Sequence, residues 1–392
     1  MAAAGRSQSL LLKSNGTVDA CGVACCGGNR GEQYNIPELN EGLAYTQVSA
    51  GGDDFLLLRS NGTVAACGEN KYGQCNIPEL DEGLEYTQVS AGGDHSLLLR
   101  SNGNVAACGY NRYGQCTIRQ LDDGLAYAQV SAGVDHSLLL RSNGTVAACG
   151  ENKYGQCNIP EIDEGLAYTQ VSAGSRHSLL LKSDGTVAFC GDNLVGQCDI
   201  PELDQGLAYT QVSAGGVHSL LLRSNGTVTV CGGNWHGQCN IPEFDEGLAY
   251  TQVSAGSQHS LLLKSNGTVA ACGANNYGQC NIPELEEGST YAECTMFKLK
   301  TSDVLQLSYK TDSAGQLLLV FSSLAGIEKC VLAAADFESV GAVERQIADE
   351  LDTQMAFLDV ILQDGRRMKG LDPSMLLVDV VAADCKIGGY SW

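Results

Sequence analysis

Along most of the chain, apolar runs of about five residues are cut by glycine, asparagine and proline, a length that suits strands rather than helices. In residues 86–91, Tyr-Thr-Gln-Val-Ser-Ala alternates in character and then meets Gly-Gly, which predicts a strand bounded by a turn. His95 to Arg100 follows, and its three consecutive leucines predict a second strand buried on both faces. Asn102-Gly103 predicts a two-residue hairpin with positive φ at both central positions, and Asn104 to Cys108 returns as a third strand. A glycine-rich loop then leads to a proline-bearing segment such as Cys75-Asn76-Ile77-Pro78. Proline cannot donate to a ladder, so this piece is expected as a fourth strand at the outer edge.

This pattern repeats. Asn-Gly or Asp-Gly falls at Asn15, Asn61, Asn102, Asn143, Asp184, Asn225 and Asn266, and every interval after the first is 41 residues. The first is 46, an excess that reads as a five-residue insertion around Cys21 to Cys25. Seven units between Gly5 and Phe297 predict an all-β, seven-bladed propeller over residues 1–297. Its ring is expected to close in one blade that combines Ser9–Leu12 with Tyr291–Met296, leaving no open sheet edge at the junction.

Periodicity stops after Phe297. Residues 298–316 read as a linker holding one strand (Val304 to Tyr309), and 317–392 as a small α+β domain. There, Leu317–Phe321 and Lys329–Ala333 predict a hairpin, and Val340, Val343, Ile347 and Leu351 share one face of a helix that Ser339 could cap. Phe357–Leu362 and Met375–Val381 supply two more strands.

Charge narrows the partners. A net charge of −22 repels phosphate backbones, which argues against nucleic acid. No stretch approaches the roughly 18 to 20 apolar residues of a membrane helix, and no signal peptide is read. The chain is therefore expected to be a cytoplasmic monomer, with the nucleus as the alternative compartment.

Eighteen cysteines are present, and twelve form pairs with seven residues between them, from Cys67/Cys75 to Cys272/Cys280. No local histidine completes a zinc site, so the pairs are free thiols or, in an oxidising compartment, disulfides within a blade. His95, His136, His177, His218 and His259 share one repeat position, where Gln8 and Asp54 stand in the other two units. A hydrogen-bonding role suits them better than catalysis or metal binding. Asn-Gly-Thr matches the glycosylation pattern, but the hairpin already requires Asn-Gly. No cofactor is implied. Acids after the fourth strand, such as Asp81, Glu82, Asp163 and Glu164, are expected to neutralise the Lys and Arg that end each second strand.

The opposite rim collects the loops in which the units differ most. Asp94, Tyr72, Arg112, Tyr113, Tyr154, Arg176, Trp235, His236 and Tyr277 are the candidate partner-binding residues there, with Asp53, Asp54, Asp135, Lys71, Lys153 and Leu194 beside them. Aromatic groups among mixed charge have the composition of protein-binding hot spots.

The unit His259-Ser-Leu-Leu-Leu-Lys-Ser-Asn-Gly-Thr-Val, then Cys272-Gly-Ala-Asn-Asn-Tyr-Gly-Gln, then Asn281-Ile-Pro, resembles the regulator of chromosome condensation repeat family. Cys272 stands where that family usually has Trp. The resemblance implies a propeller that holds proteins such as small GTPases or ubiquitin-pathway components, as in HERC-type ubiquitin ligases. The leading expectation is a non-catalytic interaction scaffold or regulatory adaptor; the alternative is guanine-nucleotide exchange on a Ran-like GTPase. The 41-residue register leaves no room for a long wedge-like insertion, which weakens the latter. The β-β-α-β-β order of the C-terminal region resembles ubiquitin-like domains, with Gln363-Asp364-Gly365-Arg366 at a family turn and Gly388-Gly389 near the end. That resemblance would put Leu362 on an exposed apolar patch used for binding.

Overall fold

The computed structural model describes residues 1–22, 36–121, 124–243, 247–286 and 288–292, together with four strands between 304 and 361. Two compact units divide at Phe297/Lys298.

Among the described residues, seven antiparallel sheets make up the first unit, each of three strands rather than four. Blade 3 sets the pattern: an inner strand Tyr86–Ala91, a middle strand His95–Arg100 and an outer strand Val105–Gly109. The proline segment is not a strand. Asn76 N donates to Gly73 O and Ile77 N to Cys75 O, so its backbone closes on itself in turns. Pro78 has no N–H to offer the outer strand, and its carbonyl is taken by the Tyr86 hydroxyl at 2.8 Å. The hairpin also differs from expectation. Gly103 N donates to Arg100 O, and Arg100 N to Asn104 O, making a three-residue loop in which Gly103 takes the left-handed conformation (φ +79°). Asn61 uses its Oδ1 to accept both the N–H and the hydroxyl of Thr63, so Asn-Gly-Thr is accounted for by the turn.

The triple leucine is explained by stacking. Leu98 packs with Leu56 and Leu58 of blade 2, whereas Leu97 and Leu99 pack with Tyr127, Val130 and Leu139 of blade 4. All three are essentially removed from water, each contributing about 1.5–3 kcal/mol.

Polar clasps run between the same blades. His95 Nε2 meets Ser137 Oγ of blade 4 at 2.9 Å, and Ser137 donates in turn to Gln115 O of blade 3. The motif recurs through His136–Ser178, His177–Ser219, His218–Ser260 and finally His259–Ser9, which joins blade 7 to blade 1. A second clasp lies nearer the axis: Gln88 Oε1 accepts from Val130 N, and Ser90 Oγ from Ala132 N. Inner strands touch in order around the ring, and that of blade 1 touches that of blade 7. They line an axial cavity of about 120 Å³.

Closure combines both ends, but not as the sequence suggests. The inner strand of blade 1 is Ala2–Ala4, paired with Ser9–Leu11, and among the described residues the C-terminal side contributes Thr290 O, which accepts from Ser14 N, Tyr291, bridged to Lys13 and bonded to Asp19 through its hydroxyl, and Ala292 N, bonded to Leu12 O. Residues 293–296 lie outside the described residues.

In the second unit, the strands order as Glu328–Ala333, Leu317–Ser323, Val304–Thr311, Asp359–Ile361. The last pair is parallel and the others are antiparallel. Val304–Thr311, assigned above to a linker, thus belongs to the sheet. Leu362, the helix expected at 339–351, the strand Met375–Val381 and Gly388-Gly389 lie outside the described residues.

Candidate protein-interaction face

In blades 2 to 7 the loop after the outer strand is built on three fixed residues. In blade 2, Asn70 Oδ1 accepts from Cys75 N at 2.9 Å and Asn70 Nδ2 donates to Asn76. Gly73 turns the chain with φ +84°, and buried Gln74 accepts Tyr72 N at 3.0 Å. The Gln74 carbonyl is the acceptor for Ser96 and Cys108 of blade 3. The residues between Asn and Gly, here Lys71 and Tyr72, are therefore displayed outward on a loop pinned to the next blade. Such anchoring lowers the entropy lost when a displayed side chain is bound. Tyr110 N donates to Asp94 O at 2.8 Å, which places the inner-to-middle loop and the outer loop on one face, as expected.

On this face Tyr72 is 41%, Tyr113 45%, Trp235 67% and Tyr277 52% exposed. Leu194, at 85%, stands in the corresponding loop of blade 5. The Trp235 ring lies over Gly233, where an added Cβ would come within 3.1 Å of it. Arg112, Arg176 and His236 are exposed and Asp94 is half-buried. Tyr154 is half-buried too, because the Arg176 guanidinium covers its ring at 4.7 Å and Lys153 Nζ approaches at 5.4 Å.

Some of the candidates converge. Tyr72 and Tyr113 are joined through Tyr110, at 4.9 Å and 6.2 Å between ring centroids, so blades 2 and 3 share one aromatic cluster. Tyr110 escaped the sequence reading, although its signal was available: it replaces Glu69 and Glu151 of the neighbouring units. Trp235 and Tyr277 make no ring contact among the described residues.

Asp54 is a correction. Expected beside the rim, it is fully buried at the position of the clasp histidines, and neither carboxylate oxygen has a hydrogen-bond partner among the described residues. Burial, reinforced by Asp94 and Asp53, holds its carboxyl well above the usual carboxylate range. The five histidines are buried and their basicity is lowered, that of His136 to about 3, chiefly by desolvation.

All described cysteines are free thiols, mostly half-buried. Cys108 donates to Gln74 O and Cys116 to Tyr110 O, and burial pushes Cys108 up to about 12. Among the described residues no cluster of His, Cys, Asp or Glu could hold a metal ion. On the other rim, Lys182–Asp163 at 3.2 Å is the sole ion pair between the turn acids and the second-strand cations described, so the expected mutual neutralisation is not general there.

No curated protein matches the chain in sequence. Solved structures do match in shape. Human WBSCR16 has a TM-score of 0.56 at 20% identity, covering 67% of this chain and 86% of its own. Prp20p from Saccharomyces cerevisiae, whose structure was described with its binding properties to Gsp1p and histones, has 0.53 at 20%, covering 67% and 78%. The ectodomain of the Arabidopsis thaliana receptor kinase ACR4 has 0.53 at 17%, covering 71% and 95%. At such identities the likeness shows the fold. The model of the regulator of chromosome condensation (RCC1) repeat matches residues 45–74, 86–115, 127–156, 168–197, 209–238 and 250–279, one in each of blades 2 to 7, and the N-terminal unit is an RCC1-repeat propeller.

Proposed function

We propose that this chain is a non-catalytic scaffold that holds a protein partner on the face bearing Tyr72, Tyr113, Tyr154, Trp235 and Tyr277. The supporting observation is the display of large aromatic side chains on loops whose Asn and Gln anchors repeat without change. Aromatic residues left in water on a rigid support are the usual anchors of protein interfaces. In pull-downs with the intact chain, Trp235→Ala and Tyr113→Ala should each weaken capture by about 2 kcal/mol, whereas Arg100→Ala on the other rim should change it by less than about 1. Equal or reversed effects in folded variants would exclude this face.

A second reading is regulation of a small GTPase, including nucleotide exchange. Its support is the likeness in fold to Prp20p, whose structure was described together with its binding properties to Gsp1p and histones. Acceleration of fluorescent GDP release from a Ran-like GTPase by the full chain, lost on Trp235→Ala, would favour it. A link to the ubiquitin pathway through residues 317–392 belongs to the same proposal, supported by the hairpin and the parallel strand pair of the second unit. We place the chain in the cytoplasm, with the nucleus as the alternative.

A further inference from the structure

The interaction face is electrostatically lopsided. The residue preceding each middle strand is Ser7, Asp53, Asp94, Asp135, Arg176, Val217 and Gln258 in blades 1 to 7. At this position acid is confined to three consecutive blades, while blade 5 carries Asp192 in the adjoining loop, its N–H bound to Arg176 O at 2.8 Å. Glu69 and Glu151 extend the run of three, because their N–H groups bind Asp53 O and Asp135 O at 2.9 and 2.8 Å. These carboxyls feel one another: the Asp94 carboxyl is raised by burial and then by Asp53, and that of Asp135 by burial, Glu151 and Asp94.

Some positive charge answers them: Arg6 and Lys71 lower the Asp94 carboxyl, and Arg112 stands exposed in blade 3. Arg6 reaches Asp53 Oδ2 at 3.4 Å, leaving Oδ1 buried without a partner. Lys71 sits over the Tyr72 ring at 5.1 Å, and Lys153 and Arg176 sit over Tyr154. Asp94, Asp135, Glu69 and Glu151 form no ion pair among the described residues. A separate observation lies beneath them: Asp54, wholly buried and lacking a hydrogen-bond partner on either oxygen among the described residues, adjoins Asp53 and feels Asp94 and Glu69.

We propose that the crescent Asp53–Asp94–Asp135 receives arginine or lysine side chains from a basic segment of the protein partner. This rests on the reading of the face as an interaction surface. The carboxylates are strung over three blades rather than gathered on a point, and no three of them could hold a metal ion, so the complement is a row of cations along a chain. Tyr72, Tyr113 and Tyr154 border the crescent, and two of them already carry a cation, as rings that accept guanidinium groups do. Paired charge of this kind chiefly sets orientation and encounter rate.

The test is fluorescence anisotropy of a labelled Gly-Arg-Gly-Arg-Gly-Arg-Gly peptide against the full chain, with the Arg→Glu peptide as control. The arginine peptide should bind saturably and the glutamate peptide should not. Asp94→Asn combined with Asp135→Asn should weaken binding by about fivefold or more, while Asp81→Asn with Glu82→Gln, on the other rim, should leave it within about twofold. Absence of saturable binding, or equal loss from both pairs, overturns the proposal. Thermal melts establish that both variants fold. Because Trp235→Ala capture is measured separately, aromatic-dependent capture alongside failed peptide binding removes the basic segment and keeps the face. Capture indifferent to the aromatic residues, with crescent-dependent peptide binding intact, does the reverse.

Discussion

The seam between blades 4 and 5 and the seam between blades 1 and 2 are built from the same fold with opposite chemistry. At the first, His136 meets Ser178, Ser178 and Cys190 donate to Gln156 O, and Gln129 and Ser131 accept Val171 N and Ala173 N. At the second, Gln8 replaces the histidine, Phe55 the serine, Met1 the glutamine and Ala3 the inner-strand serine. An apolar cluster of Met1, Leu10, Leu12, Tyr45, Val48, Phe55 and Leu57 fills the space, and Gln8 turns its Nε2 to Gly51 O and Asp54 O. A buried polar pair can be exchanged for apolar groups at little net cost if both partners change, whereas losing one strands the other. The seam between blades 2 and 3 shows the half-changed case: Ser96 is retained and donates to Gln74 O, but Asp54 stands at the histidine's repeat position.

The largest effect should come from the apolar seam. Phe55 is 1% exposed, so Phe55→Ser opens a cavity and should cost about 3–4 kcal/mol in denaturant unfolding. Adding Gln8→His should return part of that loss by rebuilding the clasp, giving a clear coupling in the double-mutant cycle. Strict additivity would show that position 8 and position 55 do not meet. Next comes the polar seam. His177→Ala removes a fully buried ring and leaves Ser219 Oγ without it, for an expected loss of about 2–3 kcal/mol. Pre-opened packing at that seam would show as a loss below about 1 kcal/mol.

The half-changed seam should respond to pH. Because the Asp54 carboxyl is raised in the folded chain above its unfolded value of about 3.9, folding binds a proton. Its contribution to stability is complete below the unfolded value and is lost as pH rises through the folded one. Asp53, Asp94 and Glu69 push in the same direction. Asp54→Asn should therefore raise the melting temperature near neutrality, change it little near pH 4, and flatten the profile between. A parallel offset at every pH would remove Asp54 as the titrating group.

Much of the ring was legible because its residues act through periodic rules. The leucine triplet announces burial on two faces, and Asn-Gly marks the turn, although the turn proved longer than two residues. What the pattern could not give depends on which atom a side chain meets. Pro78 reads as an edge strand until Tyr86 is seen to hold its carbonyl. Asp54 reads as rim charge because it adjoins Asp53, yet alternation along the strand turns it inward. Met1–Ala4 carries no strand signal of its own and is shaped by the vacancy beside Ser9–Leu11. The candidate face was legible in the loop aromatics, both where units agree, as at Tyr72, Tyr113 and Tyr154, and where one departs, as at Trp235.

The smallest expected effect separates the rims. A general exchange of charge was expected between turn acids and strand-end cations, but Lys182–Asp163 is the pair that forms, with the Asp163 side chain 74% exposed. Water screens such a pair, and holding a long lysine in one rotamer costs side-chain entropy, so its net value is about 0.5 kcal/mol or less. Asp184, two residues on, is held below the usual carboxylate range by bonds from Thr186 and by the Lys182 charge. Lys182→Ala therefore removes a favourable neighbour from two acids without exposing the core. Its unfolding free energy should fall by no more than about 0.5 kcal/mol, and the difference should vanish in about 1 M salt, where the screening length shrinks to about 3 Å. A loss above about 1.5 kcal/mol that persists in salt would mean that the lysine stem packs structurally, and the contrast between a charged surface turn and a clasped interior would no longer hold at blade 5.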